Sequence, residues 1–246
     1  MTLILTALSP EHVVQVSDRR VVWREPSGEI KKTEDERIKA IITPYFACSY
    51  SGLAELGKGD TAKWIGIELS DHICDTDRGI SALTSAVEKQ VHKQKFTGRP
   101  LTIMCAGWFS LSDDPIKSRA VAISNFDENT GRVLNKFSTL VLFPQKGRDS
   151  TVIPKGQPLH SRELLEVNWR IENLCKSKRA TSRTIAQVLV ECVRSVARSS
   201  DRKASVSEEV LVTCLPRYDR LKGLLVVGKL VEDFWSVTCF KGGTSM

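Results

Sequence analysis

The first thirty-nine residues constrain this chain more than any other stretch. Leu3-Ile4-Leu5-Thr6-Ala7-Leu8 is apolar but for one threonine, Ser9-Pro10-Glu11 interrupts it, and His12-Val13-Val14-Gln15-Val16-Ser17 follows. Two β-rich runs around a proline turn predict a hairpin. That hairpin returns Asp18 towards Thr2. After a polar hairpin, Arg37-Ile38-Lys39-Ala40-Ile41-Ile42 sets a lysine at the head of another apolar strand. If Met1 is removed, which a small second residue permits, Thr2 carries a hydroxyl and a free α-amine together. A carboxylate and an ammonium would then stand nearby.

Those four groups suit amide hydrolysis by an N-terminal nucleophile. A threonine hydroxyl is a poor nucleophile until a base takes its proton, and its own α-amine can be that base. With an ordinary pKa of about 7.7–8.0, a substantial fraction of such an amine is neutral near pH 7.5. A buried lysine at hydrogen-bond distance stabilises the alkoxide, and an aspartate holds that lysine charged and oriented.

In these blocks the chain resembles the proteasome β-subunit and HslV-like family of N-terminal nucleophile hydrolases. The matching residues are Thr2-Leu3-Ile4, Val16-Ser17-Asp18-Arg19-Arg20, Ile38-Lys39-Ala40-Ile41-Ile42 and Ser51-Gly52-Leu53-Ala54, in the family's order. The interval from Thr2 to Asp18 is that of the family's nucleophile and aspartate. Lys39 fits the family's lysine, behind a hairpin several residues longer. The resemblance implies that Thr2, Asp18 and Lys39 are catalytic and that the Gly52 N–H donates to the oxyanion. It further implies supporting roles for Arg20, beside the aspartate, and for Asp201 and Ser205 after the last long helix. A small Ser-Gly turn near the nucleophile, expected around Ser150–Gly156, has no counterpart in the sequence. Each residue also has a plainer use. Asp18 can close a strand-end turn, Lys39 can guard an edge strand, Gly52 can cap the turn into a helix, and Asp201 and Ser205 can belong to a solvated turn.

Composition narrows the alternatives. An apolar fraction of 41% and a charged fraction of 26% fit a soluble globular protein of 246 residues. No apolar run approaches the ~18–20 residues that span a bilayer, and the N-terminus lacks the pattern of a secretory signal. Seven cysteines without a C-x-x-C pair, mostly in apolar contexts, read as core residues of a cytoplasmic protein without disulfides. The net charge of +7 is spread along the chain with no aromatic-interleaved basic stripe, so nucleic acid is not an expected partner. The four histidines lie far apart, and neither a metal site nor a cofactor is expected.

Further along, helices are expected at about 61–69 and 77–95, with Asp60 or Thr61 as N-cap. Strands follow at 101–107, 119–124 and 137–143, and 144–158 reads as a loop. Amphipathic stripes predict helices at about 161–176 and 181–199, and strands are expected at 210–215, 224–227 and 234–240. This order predicts an α+β fold, a four-layer αββα sandwich of two antiparallel sheets, as one domain spanning residues 1–246. The resulting expectation is a proteasome-like threonine hydrolase acting on peptide or other amide bonds. It would be cytoplasmic and homo-oligomeric, forming rings as the family does, and Met1 would be removed by a general aminopeptidase. The rival expectation is a proteasome-like assembly scaffold that has lost hydrolysis.

Overall fold

A computed structural model describes residues 2–24, 27, 29–35, 37–43, 46–72, 76–109, 117–128, 130–144, 147–199, 202, 205–217 and 224–228. The first strands are β1 (Leu3–Leu8), β2 (His12–Asp18), β3 (Val21–Arg24), β4 (Ile30–Glu34), β5 (Ala40–Ile42) and β6 (Phe46–Gly52). After the short β7 (Glu55–Leu56) and β8 (Gly59–Asp60) come helices α1 (Thr61–Leu69) and α2 (Thr76–Lys93). Strands β9 (Leu101–Phe109), β10 (Lys117–Asp127), β11 (Arg132–Leu142) and β12 (Thr151–Gly156) precede α3 (Ser161–Lys176) and α4 (Ser182–Arg198). Strands β13 (Val210–Pro216) and β14 (Leu224–Gly228) complete the described elements. The fold is α+β. One five-stranded antiparallel sheet has the order β12-β1-β2-β13-β14 and a second has the order β11-β10-β9-β6-β5.

Strand parity explains how the core divides. Alternate residues of a strand face opposite sides. Leu3, Leu5 and Ala7 accordingly join Val14 and Val16 in a core with Val167 and Ile171 of α3 and with Ile185, Leu189 and Val193 of α4. Ile4, Leu8 and Val13 face the other way, into a core shared with Met104, Ala106, Ala120 and Ala122 of the second sheet. The far face of that sheet, through Phe46, Cys48, Tyr50 and Ile103, packs on Ile65, Leu69, Leu83 and Val87 of α1 and α2. β1, buried on both faces, is therefore apolar at nearly every position. Asp60 caps α1, its carboxylate accepting from Ala62 N at 2.7 Å. Thr181 caps α4 through Thr184 N.

A buried polar cluster joins the two sheets. Gln15 Nε2 of β2 donates to Thr6 Oγ1 and to the Met104 carbonyl, each at 3.1 Å, and its Oε1 accepts from Ser49 Oγ of β6 at 2.6 Å. Every arm of the amide is used, so the cluster fixes one offset between the sheets.

One sequence expectation is corrected. The stretch expected as a loop at 144–158 contains β12, which pairs with β1 from Leu3↔Gly156 to Leu8↔Thr151. It is an edge strand, where Pro154 is tolerated because its missing N–H can face outward. The polar hairpin expected before Lys39 is present, with β4 paired to β3. The expected strand at 234–240 lies outside the described residues. No described helix is long and apolar enough to cross a membrane.

Gln15→Ala would strand the Ser49 hydroxyl and the Met104 carbonyl in the intersheet core. A loss of about 2–3 kcal/mol is expected, since an orphaned buried polar group costs about 1–3 kcal/mol. Urea unfolding with an unchanged slope would show it.

Candidate active site

The site forms where the ends of both sheets meet. Thr2 precedes β1, Asp18 ends β2, Lys39 precedes β5, and Ser51 and Gly52 end β6. Thr2, Asp18 and Lys39 are all buried, the last two to 0% and 1% exposure. Lys39 Nζ donates to Thr2 Oγ1 at 2.5 Å and also to the Arg20 carbonyl, and it lies 3.6 Å from Asp18 Oδ1. The Asp18 carboxylate is itself held at both oxygens. Oδ2 accepts from the Leu3 N–H at 2.6 Å and Oδ1 from the Arg20 N–H at 2.8 Å. The structure therefore brings Thr2, Asp18 and Lys39 into one hydrogen-bonded group.

Burial governs the electrostatics of the pair. Loss of water pushes the Lys39 ammonium below the ordinary lysine value, with Asp18 pulling the other way. Loss of water also pushes the Asp18 carboxyl up, opposed by Lys39 and by the two backbone N–H groups. Burial thus opposes both charges, and each group favours the charge of the other.

Arg20 contributes more through its main chain than through its guanidinium. Its carbonyl and N–H hold Lys39 and Asp18, while Nε and Nη2 grip the two oxygens of Asp35 at 2.6 and 2.7 Å. That bidentate pair lowers the Asp35 carboxyl. Nη1 of Arg20 donates to the Val206 carbonyl at 3.2 Å, tying Val206 to the site. Ser205 lies nearby in sequence, its N–H bonded to the Arg202 carbonyl at 2.8 Å. It shares no hydrogen bond with Thr2, Asp18 or Lys39 among the described residues. Asp201 lies outside the described residues.

The main chain of Thr2 is held by residues that the sequence reading did not single out. Ser51 Oγ accepts from the Thr2 N–H and donates to the Thr2 carbonyl, both at 3.2 Å. The same carbonyl accepts from Gln157 N at 2.8 Å. Gly156 closes the arrangement. It sits at φ +83°, and a Cβ there would fall 2.0 Å from the Thr2 carbonyl oxygen and 2.6 Å from Ser51 Oγ. Around residues 150–156, where the resemblance implies a Ser-Gly turn, the chain has Gly156 on β12, and the hydroxyl beside the Thr2 main chain belongs to Ser51 of β6. Ser51 belongs to the Ser51-Gly52-Leu53-Ala54 stretch, and its approach to Thr2 is what marks it out.

Gly52 is also constrained. At φ +109° a Cβ would lie 2.0 Å from the Pro100 carbonyl oxygen. Its backbone and Thr2 line a cavity of about 500 Å³, with Trp23, Tyr50, Phe96 and Arg99 among the other walls. No three His, Cys, Asp or Glu side chains cluster as a metal site among the described residues.

No family model matches the chain, and no curated protein sequence does. Among solved structures, the Gly-1 mutant of Anbu from Hyphomicrobium sp. strain MC1 is similar at 11% sequence identity. That likeness covers 88% of this chain and 82% of the other, with a TM-score of 0.48.

Lys39→Met would leave the Asp18 carboxylate buried without its cation, a loss expected to reach about 3–5 kcal/mol at neutral pH. Without the lysine, the folded-state carboxyl sits above its unfolded value of about 3.9. The penalty is then absent below that value and grows as pH rises through it. Chemical denaturation at pH 3.5 and pH 7 should show the wild type and variant closest at the lower pH.

Proposed function

We propose that this chain is a threonine-type N-terminal nucleophile hydrolase that cleaves peptide or related amide bonds once Met1 is removed. One observation carries the reading: a lysine 1% exposed, 2.5 Å from the hydroxyl of the second residue and backed by a fully buried aspartate. The packing of α3 and α4 on one sheet, that sheet on the second, and the second on α1 and α2 supports an αββα sandwich as a single domain.

The proposed chemistry follows from the groups present. The free α-amine of Thr2, or a water bonded to it, takes the hydroxyl proton as Oγ1 attacks the substrate carbonyl carbon. Lys39, positively charged, stabilises the developing alkoxide, and Asp18 keeps that charge in place. The carbonyl oxygen becomes an oxyanion facing the Gly52 N–H, a type of contact worth about 10²–10³ in kcat. Collapse breaks the C–N bond and the departing amine takes the proton from the α-ammonium. Water then attacks the Thr2 ester with the same amine as base, releasing the acid and restoring the hydroxyl. Ser51, bonded to both backbone groups of Thr2, fixes the direction of attack. By resemblance the reading extends to a cytoplasmic, ring-forming homo-oligomer.

Thr2→Ala should lower kcat/KM on fluorogenic peptide amides by about 10³–10⁶-fold. Full activity in that variant would overturn the reading. An intact Met1 on protein from its native cell, with no labelling by electrophiles that trap N-terminal threonine, would favour the assembly-scaffold alternative.

The pH profile gives a second check. The amine works as a base only when neutral, so activity should rise through about pH 7.7–8.0. Lys39 works only when charged, so activity should fall as pH passes its value. Because burial lowers that value, the alkaline fall should come below the ordinary lysine range.

A further inference from the structure

The β3–β4 hairpin closes on a charge pair whose effect reaches past its own two residues. Val21 of β3 stands opposite Glu34 of β4, so one further step along the ladder brings Arg20 opposite Asp35. Arg20 Nε donates to Asp35 Oδ1 at 2.6 Å and Nη2 to Oδ2 at 2.7 Å. A two-point grip on a planar guanidinium fixes its direction as well as its distance. From its other edge the same guanidinium donates through Nη1 to the Val206 carbonyl at 3.2 Å.

Stability does not account for this clamp. The Asp35 side chain is 39% exposed and that of Arg20 19%, and an ion pair open to solvent to that degree contributes little to folding. What the clamp holds is more telling. The Arg20 N–H donates to Asp18 Oδ1, and the Arg20 carbonyl accepts from Lys39 Nζ. The main chain of one residue therefore spaces the two buried charges of the site. Upstream, the Arg19 N–H anchors that chain on the Glu209 carbonyl at 3.0 Å. Downstream the chain enters the hairpin, and the Arg20–Asp35 pair holds its base.

The charges also have to balance. Lys39 and Arg20 bring two cations, and Asp18 answers only one of them. Asp35 is the second anion. Arg37 adds a cation nearby but is turned onto Asp60 at 3.0 Å, and in the processed chain the Thr2 α-amine would be a further titrating neighbour. Burial opposes the charge on Lys39 most, and Arg37 opposes it weakly, whereas Asp18 and then Asp35 favour it. Among the described residues Asp35 shares no hydrogen bond with Thr2 or Lys39. It reaches them only through Arg20 and through its field.

We propose that Asp35 is a positioning residue: by clamping the Arg20 guanidinium it keeps the Arg20 main chain on Asp18 and Lys39, and its carboxylate supplies the second anion that a two-cation site needs. This inference rests on the hydrolytic reading for its effect on turnover, and on geometry alone for its effect on Lys39.

The test compares Asp35→Asn and Asp35→Glu with the wild type. Asparagine keeps the size but sets an NH2 against one of the two guanidinium donors, so the grip is lost with the charge. On a fluorogenic peptide amide, kcat of Asp35→Asn should fall by about 10–10²-fold with KM nearly unchanged, the scale of a small misplacement of reacting groups. The alkaline fall of its pH profile should move to lower pH, because without Asp35 the charged form of Lys39 is less favoured. Asp35→Glu restores the charge and should return both readouts towards the wild type. A purely structural role would lower thermal stability and leave the alkaline fall in place. Independently of turnover, NMR titration of the Lys39 ε-methylene should show deprotonation at lower pH in Asp35→Asn than in the wild type. An unmoved Lys39 titration, an unchanged kcat, no recovery in Asp35→Glu, or an Asp35→Asn protein that no longer folds would each overturn the inference. Wild-type protein that cleaves no amide would instead defeat the hydrolytic reading, and the titration would still decide whether Asp35 sustains the lysine's charge.

Discussion

The arrangement depends on one buried charge pair. Removing an ammonium and a carboxylate from water is expensive, and their attraction offsets that only with good geometry and further hydrogen bonds. Lys39 and Asp18 have both. The lysine is surrounded by the Thr2 hydroxyl, the Arg20 carbonyl and the carboxylate, and the carboxylate collects two main-chain N–H groups. One of those N–H groups belongs to Leu3, so the pair also anchors the start of the chain, where fraying is usual. A core that needed only stability would do as well with apolar residues of similar volume. Charges in this position are best explained by a use for the charge.

The remaining geometry supports that pair from both sheets. Thr2, Asp18 and Gly156 come from the ends of β1, β2 and β12 in one sheet. Lys39, Ser51 and Gly52 come from the ends of β5 and β6 in the other. Distances of 2.5 to 3.2 Å between groups on different sheets require the sheets to keep one offset. The Gln15 amide supplies that constraint in the layer between them, bonding Thr6 on its own sheet and Ser49 and Met104 on the other. Two glycines complete the fit, because Gly52 and Gly156 each stand where a Cβ would strike a carbonyl oxygen. At both positions a positive φ and a close main-chain approach coincide, which only glycine satisfies.

What could be read from sequence was what sequence period and local order encode. The helices α3 and α4 were legible because their apolar residues recur at helical spacing, and the first hairpin because two apolar runs flank a proline turn. Thr2, Asp18 and Lys39 could be expected to lie together because their order along the chain resembles that of the family named above, and the geometry brings them within hydrogen-bond or ion-pair distance. β12 was not legible. It is an edge strand containing Pro154 and Gly156, residues that usually mark a loop. β4, exposed along most of its length, carries charged residues where a strand usually alternates. Ser51 and Asp35 were missed for another reason. Their partners, Thr2 and Arg20, lie 49 and 15 residues away, and no local pattern records such a contact.

The two jobs assigned to β6 are coupled by its register. Along this strand Phe46, Cys48 and Tyr50 face the helix-side core, whereas Ala47 and Ser49 face the other sheet and Ser51 turns to Thr2. Adjacent positions therefore separate the residue that holds the Thr2 main chain from the residue that lines the cavity. A slip of one residue would exchange those environments, placing a phenol against Thr2 and a small hydroxyl at the cavity wall. The pairing of β6 with β9, from Phe46↔Gly107 to Gly52↔Leu101, and the Ser49–Gln15 bond hold it in place. The contact between Ser51 and Thr2 is thereby fixed by strand geometry rather than by a flexible loop.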